Sequence, residues 1–428
     1  MSNPPYGRHE RTNGGGAAGR PRVIVVGAGF AGLSAVRALS RADVDVLLLD
    51  RNPYATFQPL LYQVATGGLN PGDVTFALRA FVSRFGNARF RRERVTAVDP
   101  DQRRVRTETG EEFPYDHLVL CSGATANYFG VPGAEEHAKT IYTRAAALDV
   151  RDTVFASLEA VALNTAGAVE PVAVIVGGGA TGVEMAGTLA EMRNTALPKT
   201  YPEVDIRRVR IILVEMTGDV LGPFKPKLRE YAASELRQRG VELRLNTAVT
   251  EVRADCVVLS DGERVPSAAT IWATGVKVHD HVRDWGLPQG RGGRIRVEPD
   301  MRVVGHPEIF AVGDMGAAVD EPLPQLAQPA MQGGRHAATQ IRRLIAGMPT
   351  EPMRYKDKGT MATIGRSDAL VELPRGPDMT GFIAWVAWVA LHIFQLTGQR
   401  NRLSTLTNLS VRYLTGRGWL NVIVGDPP

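Results

Sequence analysis

The chain has 428 residues, 44% apolar and 22% charged, with a formal charge of +5, which is too long for one ordinary core and suits two or three soluble domains. The positive balance alone fits nucleic acid or an anionic bilayer, but no Lys/Arg block is interleaved with aromatics and no zinc-finger spacing occurs, so no nucleic-acid partner is expected. Cys121 and Cys256 stand 135 residues apart without any CxxC, which argues against a disulfide framework, an iron-sulfur site or a dithiol relay, and no metal site is expected.

Residues 1–20, rich in Gly, Asn, Pro and Arg and without an apolar run, read as a disordered tail rather than a secretory signal, which leaves the chain in the cytoplasm. Arg22 to Val26 predicts a strand that enters Gly27-Ala28-Gly29-Phe30-Ala31-Gly32, then a helix over Leu33 to Leu39 and a strand from Val44 to Leu49 ending in Asp50 and Arg51. This is a βαβ unit whose glycines serve a tight turn (Gly27), close approach of backbone to pyrophosphate (Gly29) and helix-strand packing (Gly32). Asp50, 18 residues past Gly32, can accept hydrogen bonds from a ribose. The apolar segment from Asn52 to Asn70, with Gln58 near its start, either covers a flavin ring or is ordinary core through Phe57, Leu60, Leu61 and Tyr62. Further strands are expected near Arg94 to Val98, Arg103 to Thr107 and His117 to Leu120, the last entering a small-residue turn at Gly123.

After a helix over Ala145 to Ala162 and a loop around Gly167, a second fingerprint follows the strand Val172 to Val176: Gly177-Gly178-Gly179-Ala180-Thr181-Gly182, with a helix over Val183 to Glu191. The next strand, Arg210 to Val214, ends in Glu215, delayed to 33 residues past Gly182 by the insertion Asn194 to Arg208. A carboxylate there binds ribose hydroxyls and repels a 2′-phosphate, favouring NADH over NADPH. Thr270 to Gly275 repeats the strand-to-small-turn ending seen at 119–123, and Ile309 to Gly313-Asp314 is a strand that closes on a flavin before a helix from Gln325 to Leu344. The helix N-terminus offers N–H groups toward flavin N1 and O2, and the Asp314 carboxylate either accepts from cofactor hydroxyls or caps a helix.

The apolar stretch Gly381 to Leu396 is 16 residues long, short of the roughly 20 needed to span a bilayer. Trp385, Trp388, His392 and Gln395 recur at helical spacing and predict an interfacial face, backed by Arg400, Arg402, Arg412 and Arg417 against Asp426 alone. The alternative is a buried helix or a dimer contact.

These features together resemble the type II NADH dehydrogenases, single-subunit NADH:quinone oxidoreductases that pump no protons. The resemblance spans residues 21–417 and rests on FQPLLYQVATGGL at 57–69, SGATANYFGVPG at 122–133, GGGATGVEMAGTLAE at 177–191, AVGDMG at 311–316, AQPAMQGG at 327–334 and YKDKGTMATIGR at 355–366. It implies an α/β fold of two Rossmann-like dinucleotide-binding domains with a C-terminal membrane-associating helical region: FAD on 21–144 with 295–345, NADH on 145–294, and anchoring and dimerising helices in 346–428. It implies one non-covalent FAD, held by Gly27, Gly29, Phe30, Ala31, Gly32, Asp50, Arg51, Gln58, Gly123, Gly313, Asp314 and Gln328, and NADH as hydride donor, held by Gly177, Gly179, Gly182, Glu215 and Gly275. Hydride passes to flavin N5 and two electrons then pass to a membrane quinone, menaquinone or ubiquinone, with Glu184 near the nicotinamide and quinone end and Gln328 and Gln332 beside the ring. A homodimer attached peripherally to the cytoplasmic face of the membrane, against anionic lipid, follows from the same likeness. Asp50 where many relatives carry Glu, Cys121-Ser122-Gly123 for Ala-Thr-Gly, and Pro329 in the variable position of AQxAxQ are departures. The rival readings are a soluble NADH-dependent reductase of a ferredoxin- or rubredoxin-type carrier and a slow-turnover NADH-sensing binding protein.

Overall fold

In a computed structural model, residues 19–163, 170–320 and 322–415 are described. Residues 1–18 of the expected tail, the loop around Gly167, Arg417 and Asp426 lie outside them, as does the side chain of Arg412. The first fingerprint belongs to an eight-stranded sheet in which His306–Ala311, His117–Leu120, Arg22–Val26, Asp45–Asp50 and Ala88–Arg92 follow one another out to one edge. These are parallel, with Val23 opposite both Val46 and His117. Valine and isoleucine fill Arg22–Val26 without alternation because both faces of the sheet are covered. Ile295–Val297, Arg302–Val303 and Gly316–Ala318 extend the same sheet, so residues far along the chain return to complete it.

The second fingerprint sits in a four-stranded parallel sheet ordered Glu242–Arg244, Arg210–Val214, Val172–Val176, Ala269–Trp272. In both sheets an antiparallel meander precedes the strand beside the fingerprint strand: 95–114 before His117–Leu120, and 249–266 before Ala269–Trp272. The chain crosses between the modules where Thr125–Ala126 pairs antiparallel with Val276–Lys277. The helices begin earlier than the apolar periodicity suggests, at Phe30 and Ala180, because the glycine loops themselves supply the first turn. The closing helix begins later, at Ala327, since Gln325 is held in the preceding loop by its own bond to the Asp314 carbonyl.

Of the two readings of the apolar segment after Asn52, the core reading holds for Leu60, Leu61, Tyr62, Val64 and Ala65, which are buried in the cluster that also holds the second module and the C-terminal region. That region is a three-stranded sheet, Thr360–Thr363, Ala369–Glu372 and Met379–Thr380, followed by helices Gly381–Gln395 and Gln399–Thr415. The expected interfacial face of the first helix is reversed. Trp388 is 3% exposed and His392 stacks on it at 3.9 Å, so this stripe docks on the protein, while Phe382, Ile383, Val386 and Phe394 face outward. Both stripes are apolar, and the inward one won because Tyr62 and Phe57 meet it edge-on. Among the described residues no helix is long and apolar enough to cross a membrane.

Candidate active site

The two glycine loops have one geometry. Gly27 (φ +103°) and Gly177 (φ +110°) lie where L-residues are strained, and each N–H donates to the neighbouring strand's last apolar carbonyl, Leu49 or Val214, at 2.8 Å. A Cβ on Gly32 would collide with the Gly27 carbonyl oxygen, and one on Gly182 with that of Gly177, so the third glycine lets the helix sit on the strand turn. A Cβ on Gly29 or Gly179 would meet no protein atom within 4 Å. These are the caps of helices with no acidic residue in the first turn, so free N–H groups and positive helix ends face open space, as a pyrophosphate needs.

The acids at the second strand ends repeat as well. Asp50 accepts from Ala28 N–H and Asn52 N–H, both at 2.7 Å. Glu215 accepts from Gly178 N–H at 2.6 Å and from the Thr217 N–H and hydroxyl at 2.8 Å. Each carboxylate therefore braces its own glycine loop and keeps acceptor capacity beyond those bonds. Burial raises the Asp50 pKa, and these two backbone bonds with the Arg51 charge oppose that rise.

Beside Asp50 and the exposed Arg51 a crevice is lined by Glu93, Arg94, His279, His281 and Trp285. His279 and His281 stack at 5.5 Å, and burial together with Arg51, His281 and Arg94 lowers His279 to about 4, leaving it neutral. This aromatic wall beside Asp50 was missed from the sequence, because nothing in the HDHVRDW segment announces a partner more than 200 residues upstream.

Gly313 (φ +69°) sets the turn that presents Asp314, and a Cβ there would come 3.3–3.4 Å from those of Ala330 and Ala31. Burial raises the Asp314 pKa against the pull of Arg294. The closing helix packs directly on the first fingerprint helix, since a Cβ on Gly334 would collide with the Ala31 carbonyl. Ala31 is thus a packing residue through its carbonyl, and Phe30 meets Phe57 edge-on at 5.7 Å. Gln58 is exposed, Gly123 has φ +75° with open space at its Cβ position, and Gly275 (φ +60°) lies under the Phe129 ring.

Gln332 and Gln328, on the same helix, differ. The Gln332 amide is taken up at both ends by the Lys356 backbone, donating to its carbonyl at 2.9 Å and accepting from its N–H at 3.0 Å, so it ties down the loop before Thr360–Thr363. The Gln328 Oε1 is buried and, among the described residues, without a protein donor.

Glu184, just past the first turn of the second fingerprint helix, accepts a long bond from Thr363 N–H at 3.4 Å, and the Thr363 hydroxyl meets the Tyr62 hydroxyl at 2.9 Å. Desolvation pushes the Glu184 carboxyl up to about 8, with the Thr363 bond pulling the other way. Thr363 also escaped the sequence reading, being 179 residues from Glu184 and 301 from Tyr62. His392 donates its Nδ1–H to the Trp388 carbonyl at 2.8 Å, and burial lowers it to about 4. Cys121 is buried against the Gly27 carbonyl and Cys256 lies in the second meander, so the two thiols form no relay.

Comparison with known proteins adds three kinds of likeness. Residues 21–334 match the pyridine nucleotide-disulphide oxidoreductase family, and residues 358–418 match the NDH2 C-terminal domain. The chain is 36% identical to the type II NADH:quinone oxidoreductase Ndh of Mycobacterium tuberculosis, covering 94% of this chain and 90% of that one. Among solved structures, NDH2 from Plasmodium falciparum in complex with NADH superposes with a TM-score of 0.85 at 18% identity, over 94% of this chain and 99% of that one. The sulfide:quinone oxidoreductase of Aquifex aeolicus superposes with a TM-score of 0.74 at 20% identity, over 92% and 95%.

Proposed function

The chain belongs to the type II NADH:quinone oxidoreductases, and we propose that its residues divide the reaction between two glycine cradles and one carboxyl that joins them to the C-terminal helices. It is a flavoprotein that oxidises NADH and reduces quinone. The observation that carries the assignment of roles is Glu184. It stands on the helix that opens from the second cradle, yet it is bonded to the C-terminal sheet that leads directly into the apolar helix.

The first cradle, Gly27, Gly29 and Gly32 with Asp50, holds FAD, assisted by Arg51, Gln58, Gly123, Gly313, Asp314 and Gln328. The second, Gly177, Gly179 and Gly182 with Glu215 and Gly275, holds NADH. Domain limits follow at 21–144 with 295–345, 145–294 and 346–428. Bound FAD supplies the two-electron chemistry, accepting hydride from NADH and passing electrons to quinone. Glu184, neutral at pH 7, stores a proton for the reduced quinone, and Gln332 positions the wall of that site through Lys356. The outward stripe of Phe382, Ile383, Val386 and Phe394 rests in the headgroup region of the cytoplasmic face, a peripheral attachment that gives no route for proton pumping. Menaquinone and ubiquinone both fit this chemistry, and a homodimer through the C-terminal helices completes the assignment.

Anaerobic stopped-flow tests it. After NADH reduces the flavin, a membrane quinone restores oxidised-flavin absorbance within the turnover time. A flavin that stays reduced for many seconds in quinone, and is reoxidised by a ferredoxin-type carrier, overturns the assignment.

A further inference from the structure

Arginines from four separate segments lie around the packing of the first fingerprint helix, the closing helix and the last helix, and one of them borders the outward apolar stripe. Arg37 lies in the last turn of the first fingerprint helix, its guanidinium 5.7 Å from the Phe81 ring centre. Arg84 lies 5.2 Å from that of Phe76, and Phe76 in turn lies directly beneath Gly398. Arg402, on the last helix, donates to the Leu396 carbonyl at 2.9 Å and lies 5.4 Å from the ring centre of the exposed Phe394. Arg335 follows Gly334, the residue that brings the closing helix against Ala31 of the first fingerprint helix. Among the described residues, none of the four takes part in an ion pair. Partial burial lowers the Arg37 pKa, and the positive charges of Arg84, Arg402 and Arg335 lower it further. Like charges gathered without counter-charge repel one another, and a bound anion removes that cost.

We propose that Arg37, Arg84, Arg335 and Arg402 form a discrete site for the phosphodiester of one anionic phospholipid headgroup. Guanidinium forks match phosphate oxygens in geometry, which a solvated lysine patch does not. The lipid source follows from position: Arg402 and Phe394 make the cluster continuous with the apolar stripe, so a phosphate held by the arginines leaves its acyl chains along Phe394 and Leu403, both exposed. A choline headgroup would bring a fifth cation into the cluster and is rejected on that ground. The site rests on the peripheral attachment proposed above and adds a headgroup preference to it.

Isothermal titration of the FAD-loaded full chain with dihexanoyl-phosphatidylglycerol, below its micelle concentration, tests it. Saturation at one lipid per chain is expected, weakened about tenfold or more in R37Q/R335Q and largely restored in R37K/R335K, with flavin content reporting that each variant is folded. Uptake that does not saturate overturns the site, as does equal affinity for dihexanoyl-phosphatidylcholine. Inorganic phosphate binding as tightly as the lipid assigns the cluster to a free anion and also overturns it. Wild-type chain that sediments with phosphatidylglycerol vesicles but binds the short-chain lipid no better than R37Q/R335Q removes the site and leaves attachment standing. Failure to sediment with any vesicle removes the attachment and the inference with it.

Discussion

On the function proposed above, Glu184 is the residue whose protonation quinone reduction should depend on. Its carboxyl, normally near 4.5, is pushed up to about 8 by desolvation, so it carries a proton at pH 7 and loses it as pH rises. Quinone reduction is therefore expected to fall as pH rises through about 8, and E184Q, which cannot release a proton, is expected to lack that limb. Its kcat with quinone should drop roughly 10²-fold, while single-turnover flavin reduction by NADH stays within a few-fold. A wild-type pH limb that persists in E184Q assigns the proton elsewhere. The same shift has a sign in stability: the folded-state pKa lies above the unfolded one, so stability is fullest below about 4.5 and is lost as pH rises through about 8. Denaturant midpoints between pH 6 and 9 should thus decline less in E184Q than in the wild type. Glu215 supports a second prediction. Its Oε2 braces Gly178 and its Oε1 holds Thr217, so Glu215→Gln keeps one acceptor but removes the charge facing a ribose. The NADH-over-NADPH ratio of kcat/KM should fall about tenfold, the factor that 1.4 kcal/mol carries; an unchanged ratio would show that the brace is the residue's whole task.

Helices and loops divide their glycines between folding and binding, and alanine substitution separates the two. Gly334→Ala places a methyl against the Ala31 carbonyl and forces the closing helix off the first fingerprint helix, an overpacking cost of about 1–3 kcal/mol that denaturation of the apoprotein should register. Gly29→Ala meets no protein atom within 4 Å, so the apoprotein should unfold as the wild type does while FAD affinity drops, because the methyl occupies pyrophosphate space. Equal destabilisation of both apoproteins would refute this division. Val172–Val176 and Arg210–Val214 were legible to the residue, since a short apolar run rich in Val and Ile and ended by glycine or an acid reads as a buried strand. The inward stripe of Gly381–Gln395 was not legible: both its faces are apolar, and only the distant Tyr62 and Phe57 decide which one docks. That Asp50 and Glu215 stand at the ends of the second strands was legible from those strands. Their bracing of the loops was not, because that bond joins a strand end to a turn 22 or 37 residues earlier.

Across the whole molecule, the last helix is tied to the segment that follows the first fingerprint by one buried carboxylate. Asp73 accepts from the Ser404 hydroxyl and the Asn408 amide, both at 2.6 Å, while Asn401 donates to the Thr75 carbonyl at 2.6 Å. The last helix is thereby registered against the segment that follows FQPLLYQVATGGL. Asp73→Ala strands these donors, at a cost of about 1–3 kcal/mol confined to the docking of the last helix. Neither glycine loop shares a bond with this contact, so NADH oxidation with ferricyanide, a soluble acceptor, should stay within about twofold of wild type. If quinone is reached through the docked helices, as proposed, its kcat/KM should fall about tenfold, as 1.4 kcal/mol of undocking implies. Parallel loss of both activities would mean that Asp73 supports the first-fingerprint module itself; loss of quinone turnover alone would place the contact between membrane docking and electron delivery.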